Sequence, residues 1–130
     1  AAALGLRAEA AMKQNQTLGA VEDLTRIIDR YGANDGATEA LLRRGQLYAR
    51  GGDTQKALSD LEACLKRRPQ APTRAEALIE RGELLAKAGD TAGAREALET
   101  GRGFVSPGHP LNARAKAILA SLPASATVGD

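Results

Sequence analysis

The chain has few of the side chains that chemistry and large apolar cores usually need. Its 130 residues include one cysteine, one histidine, no tryptophan, two tyrosines and one phenylalanine. A lone cysteine, Cys64, excludes an internal disulfide, and a lone histidine, His109, does not supply a zinc site. Proteins that bind single-stranded nucleic acid commonly stack bases on aromatic rings, which are scarce here. The composition therefore argues against a disulfide scaffold, a zinc centre and a nucleic-acid partner.

The charged residues are balanced, and the apolar residues form no long run. The 18 basic and 16 acidic residues leave a net charge of +2 without a basic block. No apolar stretch approaches the ~20 residues that a membrane-spanning helix requires. We therefore expect neither nucleic-acid binding nor membrane insertion by this segment. The chain begins at Ala1 rather than Met, so we expect a mature product or a segment of a larger protein.

No pattern of catalytic residues is found. The glycines at 51–52 and 101–103 do not follow a predicted strand, so a phosphate-binding loop is not indicated. Cys64 takes a small-residue position on a predicted helix, and we interpret it as a buried structural thiol. His109 lies in a Pro-Gly-His-Pro turn, which predicts a turn or helix-capping role. We expect no enzyme, no catalytic residue, no metal site and no cofactor.

An internal repeat with a step of 37 residues dominates what is present. Residues 38–67 align with residues 75–104 without a gap, and 13 of the aligned positions are identical. Such a period indicates one supersecondary unit stacked on copies of itself. The recurring positions are Leu4, Leu41 and Leu78; Ala8, Gly45 and Gly82; Ala20, Ala57 and Ala94; and Leu24, Leu61 and Leu98.

Each unit is predicted to form a helical hairpin. Apolar residues recur with helical spacing on both sides of Gly52-Asp53-Thr54 and of Gly89-Asp90-Thr91, where the glycine ends one helix and the aspartate caps the next. We predict hairpins over about residues 1–34, 38–69 and 75–106. A last helix over about 111–122 follows Pro110, and residues 123–130 are expected to form a flexible tail.

The second and third units resemble the tetratricopeptide repeat, on the residues listed above together with Tyr48 and Pro69. The first unit is the most degenerate, because Ala11 and Ile27 depart from the pattern. The resemblance implies an all-α, right-handed α-solenoid of three hairpins with a C-terminal capping helix. The lengthened, proline-containing connector is similar to that of bacterial envelope repeat proteins, which favours the periplasm or envelope over the cytoplasm.

The resemblance also implies a function and a site. Such arrays hold a peptide or helix of another protein in a concave groove lined by the first helix of each hairpin. Carried over to this chain, the groove positions are Leu42, Arg43, Gln46, Ala49, Arg50, Glu76, Ile79, Glu80, Glu83 and Lys87. Further positions implied in the same way are Glu9, Met12, Lys13, Ala86 and Lys116. We expected Leu42 and Ile79, with the alanines, to form a small apolar centre bordered by charges.

Other interpretations stay open at this stage. The array could be an assembly scaffold that stacks through its ends, with self-association of the apolar segment near Leu6. It could regulate an enzyme encoded elsewhere in a larger protein. A non-repetitive helical bundle with a DNA-binding helix-turn-helix is the competing fold, which the repeat and the even charge balance disfavour.

Overall fold

The computed structural model describes residues 2–32 and 34–123, and helices form most of these residues. The six helices, in chain order, are α1 (Ala2–Arg30), α2 (Asp35–Arg50), α3 (Thr54–Lys66), α4 (Ala71–Lys87), α5 (Thr91–Arg102) and α6 (Pro110–Ser121). No strand occurs within the described ranges. The predicted all-α helical repeat is confirmed. None of the described helices combines the length and the apolar character needed to cross a bilayer.

Helices α2 and α3 form one hairpin, and α4 and α5 form the next. Their turns have the same chemistry, because Gly52 and Gly89 take φ values of +86° and +91°. Asp53 then caps α3 by accepting a 3.2 Å hydrogen bond from the Lys56 backbone N–H, and Asp90 caps α5 in the same way. Glycine adopts this left-handed conformation without the cost that a Cβ imposes. These are the two turns that the sequence predicts.

Small residues let the helices of each hairpin close on one another. A Cβ added at Gly45 would lie 3.3 Å from Leu61 Cδ2, and one added at Gly82 would lie 2.6 Å from Leu98 Cγ. The packed side chains form two buried clusters. One consists of Leu41, Leu42, Ala57, Leu61, Cys64, Ala77 and Leu84, and the other of Ile79, Leu98 and Ala115.

Helix α1 is joined to the first hairpin by packing and by a hydrogen bond to Arg44, which also forms an ion pair between α2 and α3. Ile28 packs against the first buried cluster. Arg44 on α2 donates from Nε and Nη2 to the two carboxylate oxygens of Asp60 on α3, both at 2.7 Å, and from Nη1 to Thr25 on α1 at 3.0 Å. The Asp60 side chain is only 7% exposed. One arginine therefore connects α1, α2 and α3.

The first unit differs from the predicted hairpin over residues 1–34, because α1 runs unbroken from Ala2 to Arg30. The repeat explains why. Where the later units have Gly-Asp-Thr at the turn, the first has Asn15-Gln16-Thr17, so it lacks both the glycine and the capping aspartate. Residues 2–32 and 34–123 therefore contain two hairpins, α2–α3 and α4–α5, where the sequence predicted three. The side chains of Leu4, Leu6, Glu9, Met12 and Lys13, which the predictions used, lie outside those described, as do residues 124–130 of the predicted tail.

Helix α6 packs against α4 and α5 at the end of the array. His109 caps it, since its Nδ1 accepts a 3.0 Å hydrogen bond from the Leu111 backbone N–H, and Pro110 occupies the first turn. Leu111, Ile118 and Leu119 pack against the second buried cluster. The last helix thus covers the end of the second hairpin.

Candidate functional site

Three helices contribute to one polar surface. Helix α4 lies between α2 and α6 and contacts both of them. A shallow cavity of about 190 Å³ opens on this side of the array, and we call it the groove. Its lining residues are Gln46, Ala49, Arg50, Glu80, Glu83, Leu84, Lys87 and Arg114. All except Leu84 and Arg114 are among the predicted groove residues.

Equivalent positions of successive repeats meet in this cavity. Gln46 and Glu83 are separated by one 37-residue step, and so are Arg50 and Lys87. Because first helices of neighbouring hairpins pack side by side, the same stripe of each helix faces the same way. The period of the sequence therefore produces a continuous surface rather than an isolated pocket.

Gln46 is the centre of a hydrogen-bond network at one side of the groove. The side chain is 8% exposed, and its amide Nε2 donates to Glu76 at 2.5 Å and to Glu80. Its Oε1 accepts from Arg43 Nη1 at 2.8 Å. Arg43 also pairs with Glu76 at 3.0 Å and with Glu39 at 3.1 Å. The network fixes the Glu76 and Glu80 carboxylates between α2 and α4.

Arg114 of α6 completes the charge pattern on the other side. Its guanidinium donates to Glu83 and lies 3.9 Å from Glu80. The family resemblance implied Lys116 as the groove residue of the last helix, but Lys116 is exposed and does not line the cavity. Residues two positions apart on a helix point in nearly opposite directions, and Ala115 sets the buried side of α6. The helical spacing of Leu111, Ala115 and Ile118 identifies the buried side of α6, and this was the sequence signal that could have excluded Lys116.

Burial changes the pKa of Glu80. Its removal from water raises the pKa of the carboxyl group above its ordinary value, and Gln46 and Arg114 offset only part of that effect. Desolvation disfavours the charged form of an acid, whereas donors and cations favour it. The ionised Glu80 therefore depends on its neighbours on α2 and α6.

The predicted apolar centre of the groove needs correction. Leu42 and Ile79 have no exposed surface, since Leu42 belongs to the first buried cluster and Ile79 packs with Leu98 and Ala115 in the second. They hold the core together and do not contact solvent. Ala49 and Ala86 are half-buried, while Arg43, Arg50 and Lys87 are exposed. The groove is consequently more polar than the sequence suggested.

The environment of Cys64 is that of a structural residue. Cys64 is fully buried, and its burial raises the pKa of the thiol to about 11. A thiol with such a pKa stays protonated near neutral pH and is a poor nucleophile. Across the described residues, no three histidine, cysteine, aspartate or glutamate side chains are grouped to hold a metal ion.

Comparison with known proteins gives one family. The family model described as tetratricopeptide repeat matches residues 6–72 and again residues 42–104. The two matches overlap and together span most of the chain, including all residues that line the groove except Arg114. The chain has no match among curated proteins. The resemblance to envelope proteins stays a prediction.

Proposed function

Because the chain belongs to the tetratricopeptide repeat family, whose repeats generally mediate protein–protein interaction, we propose that it holds a peptide or helix of a partner protein in the groove. Members of this family are typically non-enzymatic. The main support for this proposal is the cavity, which is lined by equivalent positions of two successive repeats and by a residue of α6. The partner lies across the first helices of the hairpins.

The size of the cavity favours a polypeptide over a small molecule. Small-molecule sites usually enclose about 300–1,000 Å³, whereas this cavity measures about 190 Å³ and is open. A volume of this size admits one or two side chains. A bound peptide would therefore place a few side chains in the groove while its backbone stays at the surface.

The charges of the groove define what the peptide must offer. Arg50 and Lys87 are exposed at one side of the cavity, while Glu80 and Glu83 are engaged by Gln46 and Arg114. The two exposed cations are thus the groups most available to a partner. A peptide with an acidic side chain next to a small apolar one complements Arg50, Lys87 and the neighbouring Ala49.

Charge reversal tests the groove directly. Peptides are selected from a displayed random library on the wild-type protein, and their affinities are measured by isothermal titration calorimetry. Arg50→Glu combined with Lys87→Glu should weaken binding by about tenfold or more, which corresponds to about 1.4 kcal/mol. The melting temperature should fall by only a few degrees, because both side chains are exposed and a cation in the last turn of a helix, where each of them lies, is worth only about 0.3–1 kcal/mol.

The matched control places the same charge change on another helix. Lys56 and Lys66 are exposed on α3, so Lys56→Glu combined with Lys66→Glu alters the net charge equally without touching the groove. Its peptide affinity should stay within about twofold of wild type, a difference of only a few tenths of a kcal/mol. Equal weakening in both double variants would show that net charge, and not the groove, determines binding.

A further inference from the structure

One side of α1 is partly exposed where the later repeats bury the same positions: Asp23 and Ile27 are exposed, and Ala20 and Leu24 are half-buried. This open face of α1 consists of Ala20, Asp23, Leu24 and Ile27, which precede Ala57, Asp60, Leu61 and Cys64 by one period. Every member of the second set is at most 5% exposed. By contrast, Ile27 is 36% exposed, and the Asp23 side chain is 73% exposed where that of Asp60 is 7% exposed.

The continuous helix explains the exposure. In the complete hairpins, α2 covers this face of α3 and α4 covers the same face of α5, as the contacts of Gly45 and Gly82 show. In the first unit, the segment that would fold back instead extends α1 from Ala2. No described helix occupies the place that corresponds to α2.

The sequence of residues 4–8 has the groups needed to cover the open face. Leu4, Arg7 and Ala8 hold the repeat positions of Leu41, Arg44 and Gly45. Arg44 makes the two 2.7 Å hydrogen bonds to Asp60, and one period earlier the same two positions are occupied by Arg7 and Asp23. The charge pair of the complete hairpin is thus encoded again in the first unit.

The sizes of the residues are complementary as well. In the second hairpin, a Cβ at Gly101 would lie 2.9 Å from Ile79 Cγ1, so these two positions touch. In the first unit the large and small residues are exchanged. Ile27 holds the repeat position of Gly101, and Gly5 holds the repeat position of Ile79. A large residue on the open face therefore matches a small one in the segment that would cover it.

We propose that residues 2–15 of a second copy of this chain cover the open face of α1, and that the exchange is reciprocal. Within one chain, the unbroken α1 prevents this segment from folding back. The matched positions pair residue 5 with 27, 7 with 23 and 8 with 20, which centres an antiparallel helix pair near residue 15, close to the middle of α1. Exchange of an identical element is a low-cost route to a two-fold dimer. The surface is separate from the groove.

Charge exchange between two variants tests the contact in trans. Light scattering after size exclusion should show wild-type dimers, and Arg7→Asp alone or Asp23→Arg alone should raise the dimer dissociation constant by about tenfold or more. An equal mixture of the two variants should dimerise again, because each interface of the mixed dimer then joins one arginine to one aspartate. Glu22→Arg, which changes the adjacent exposed residue, should leave the dimer unchanged.

A second variant closes the hairpin within one chain. Asn15→Gly combined with Gln16→Asp restores the Gly-Asp-Thr turn of the later repeats and should give a folded monomer. Asn15→Ala combined with Gln16→Ala keeps the helix and should keep the dimer. The proposal is overturned if the wild type remains monomeric at about 10⁻⁴ M, a concentration at which even a weak association is populated. A dimer that survives both charge reversals and the restored turn would overturn it equally.

Discussion

At the residue scale, the two small positions inside the hairpins are not equally crowded. A Cβ at Gly82 would lie 2.6 Å from Leu98 Cγ and 3.2 Å from the Ala94 carbonyl oxygen, whereas at Gly45 the nearest atoms are all at 3.3 Å. Leu98 is fully buried, so it has little room to move. The same residue type therefore relieves a severe clash at one crossing and a mild one at the other.

This difference predicts unequal costs of one substitution. Gly82→Ala should lower the free energy of unfolding by about 1–3 kcal/mol through overpacking. Gly45→Ala should be close to neutral, because the gain in helix propensity of about 1 kcal/mol offsets the milder contacts. Urea unfolding of both variants measures the two costs. Equal stability of Gly82→Ala and wild type would mean that the α4–α5 crossing is looser than described.

Glu80 gives a prediction about pH. Because its pKa is raised by burial, the native protein holds this proton more tightly than the unfolded chain. The free energy of unfolding therefore falls as the pH rises from the ordinary glutamate pKa, about 4.3, through the raised pKa. Glu80→Gln should remove this decrease in the free energy of unfolding. The difference in that free energy between the variant and wild type should therefore shift in favour of the variant from about pH 4 to pH 7.

Denaturant unfolding across that pH range checks the sign. Glu96→Gln is the control, since Glu96 is exposed on α5, and its difference from wild type should not grow in the same manner. If Glu80→Gln instead became less stable relative to wild type as the pH rose, the ionised Glu80 would be stabilising. The pairs with Gln46 and Arg114 would then outweigh its burial.

Some of the predicted groove residues line the cavity and others do not, and both kinds occur among the polar and the apolar ones. Gln46, Ala49, Arg50, Glu80, Glu83 and Lys87 line the cavity, whereas Arg43 and Glu76 do not, and peptide binding by these residues stays a prediction. Leu42 and Ile79 were assigned to the same stripe, but whether a leucine or isoleucine beside a helix contact faces solvent depends on the neighbouring helix. Burial of this kind is a property of the packed array and is not encoded at the residue itself.

At the scale of elements, turn chemistry decides where helices end. Gly52 at φ +86° and the capping Asp53 separate α2 from α3. In the first unit, Asn15 and Gln16 replace these two residues, and α1 continues. The repeat pattern predicted a hairpin there because its apolar positions are conserved within the chain, but apolar positions do not terminate a helix.

A comparison of adjacent glycines tests this role. Gly52→Ala should lower the free energy of unfolding by about 1–2 kcal/mol, since a left-handed conformation costs a Cβ-bearing residue that amount. Gly51, with a φ of −82°, is the internal control, and Gly51→Ala should cost less than about 0.5 kcal/mol. Thermal or urea unfolding measures both. Equal effects would mean that the backbone conformation at Gly52 does not determine the end of α2.

At the scale of the whole molecule, the 37-residue step produces two surfaces of different kinds. One is the groove, where α2, α4 and α6 present polar side chains. The other is the open face of α1, where two of the positions that later repeats bury, Asp23 and Ile27, are exposed. The first surface follows from the repeats being alike, and the second follows from the first unit being different. If both proposals hold, their separation would let the protein bind a partner and a second copy at the same time.

Chemical-shift mapping by NMR tests the central claim, that the groove is the partner-binding surface. A selected peptide is titrated into the isotopically labelled protein, and backbone amide shifts are followed. If the groove binds the peptide, the largest shift changes should occur at Gln46, Ala49, Glu83 and Lys87, with small changes on the exposed side of α3. Changes concentrated on α3 or on the open face of α1, with the groove residues unaffected, would contradict it.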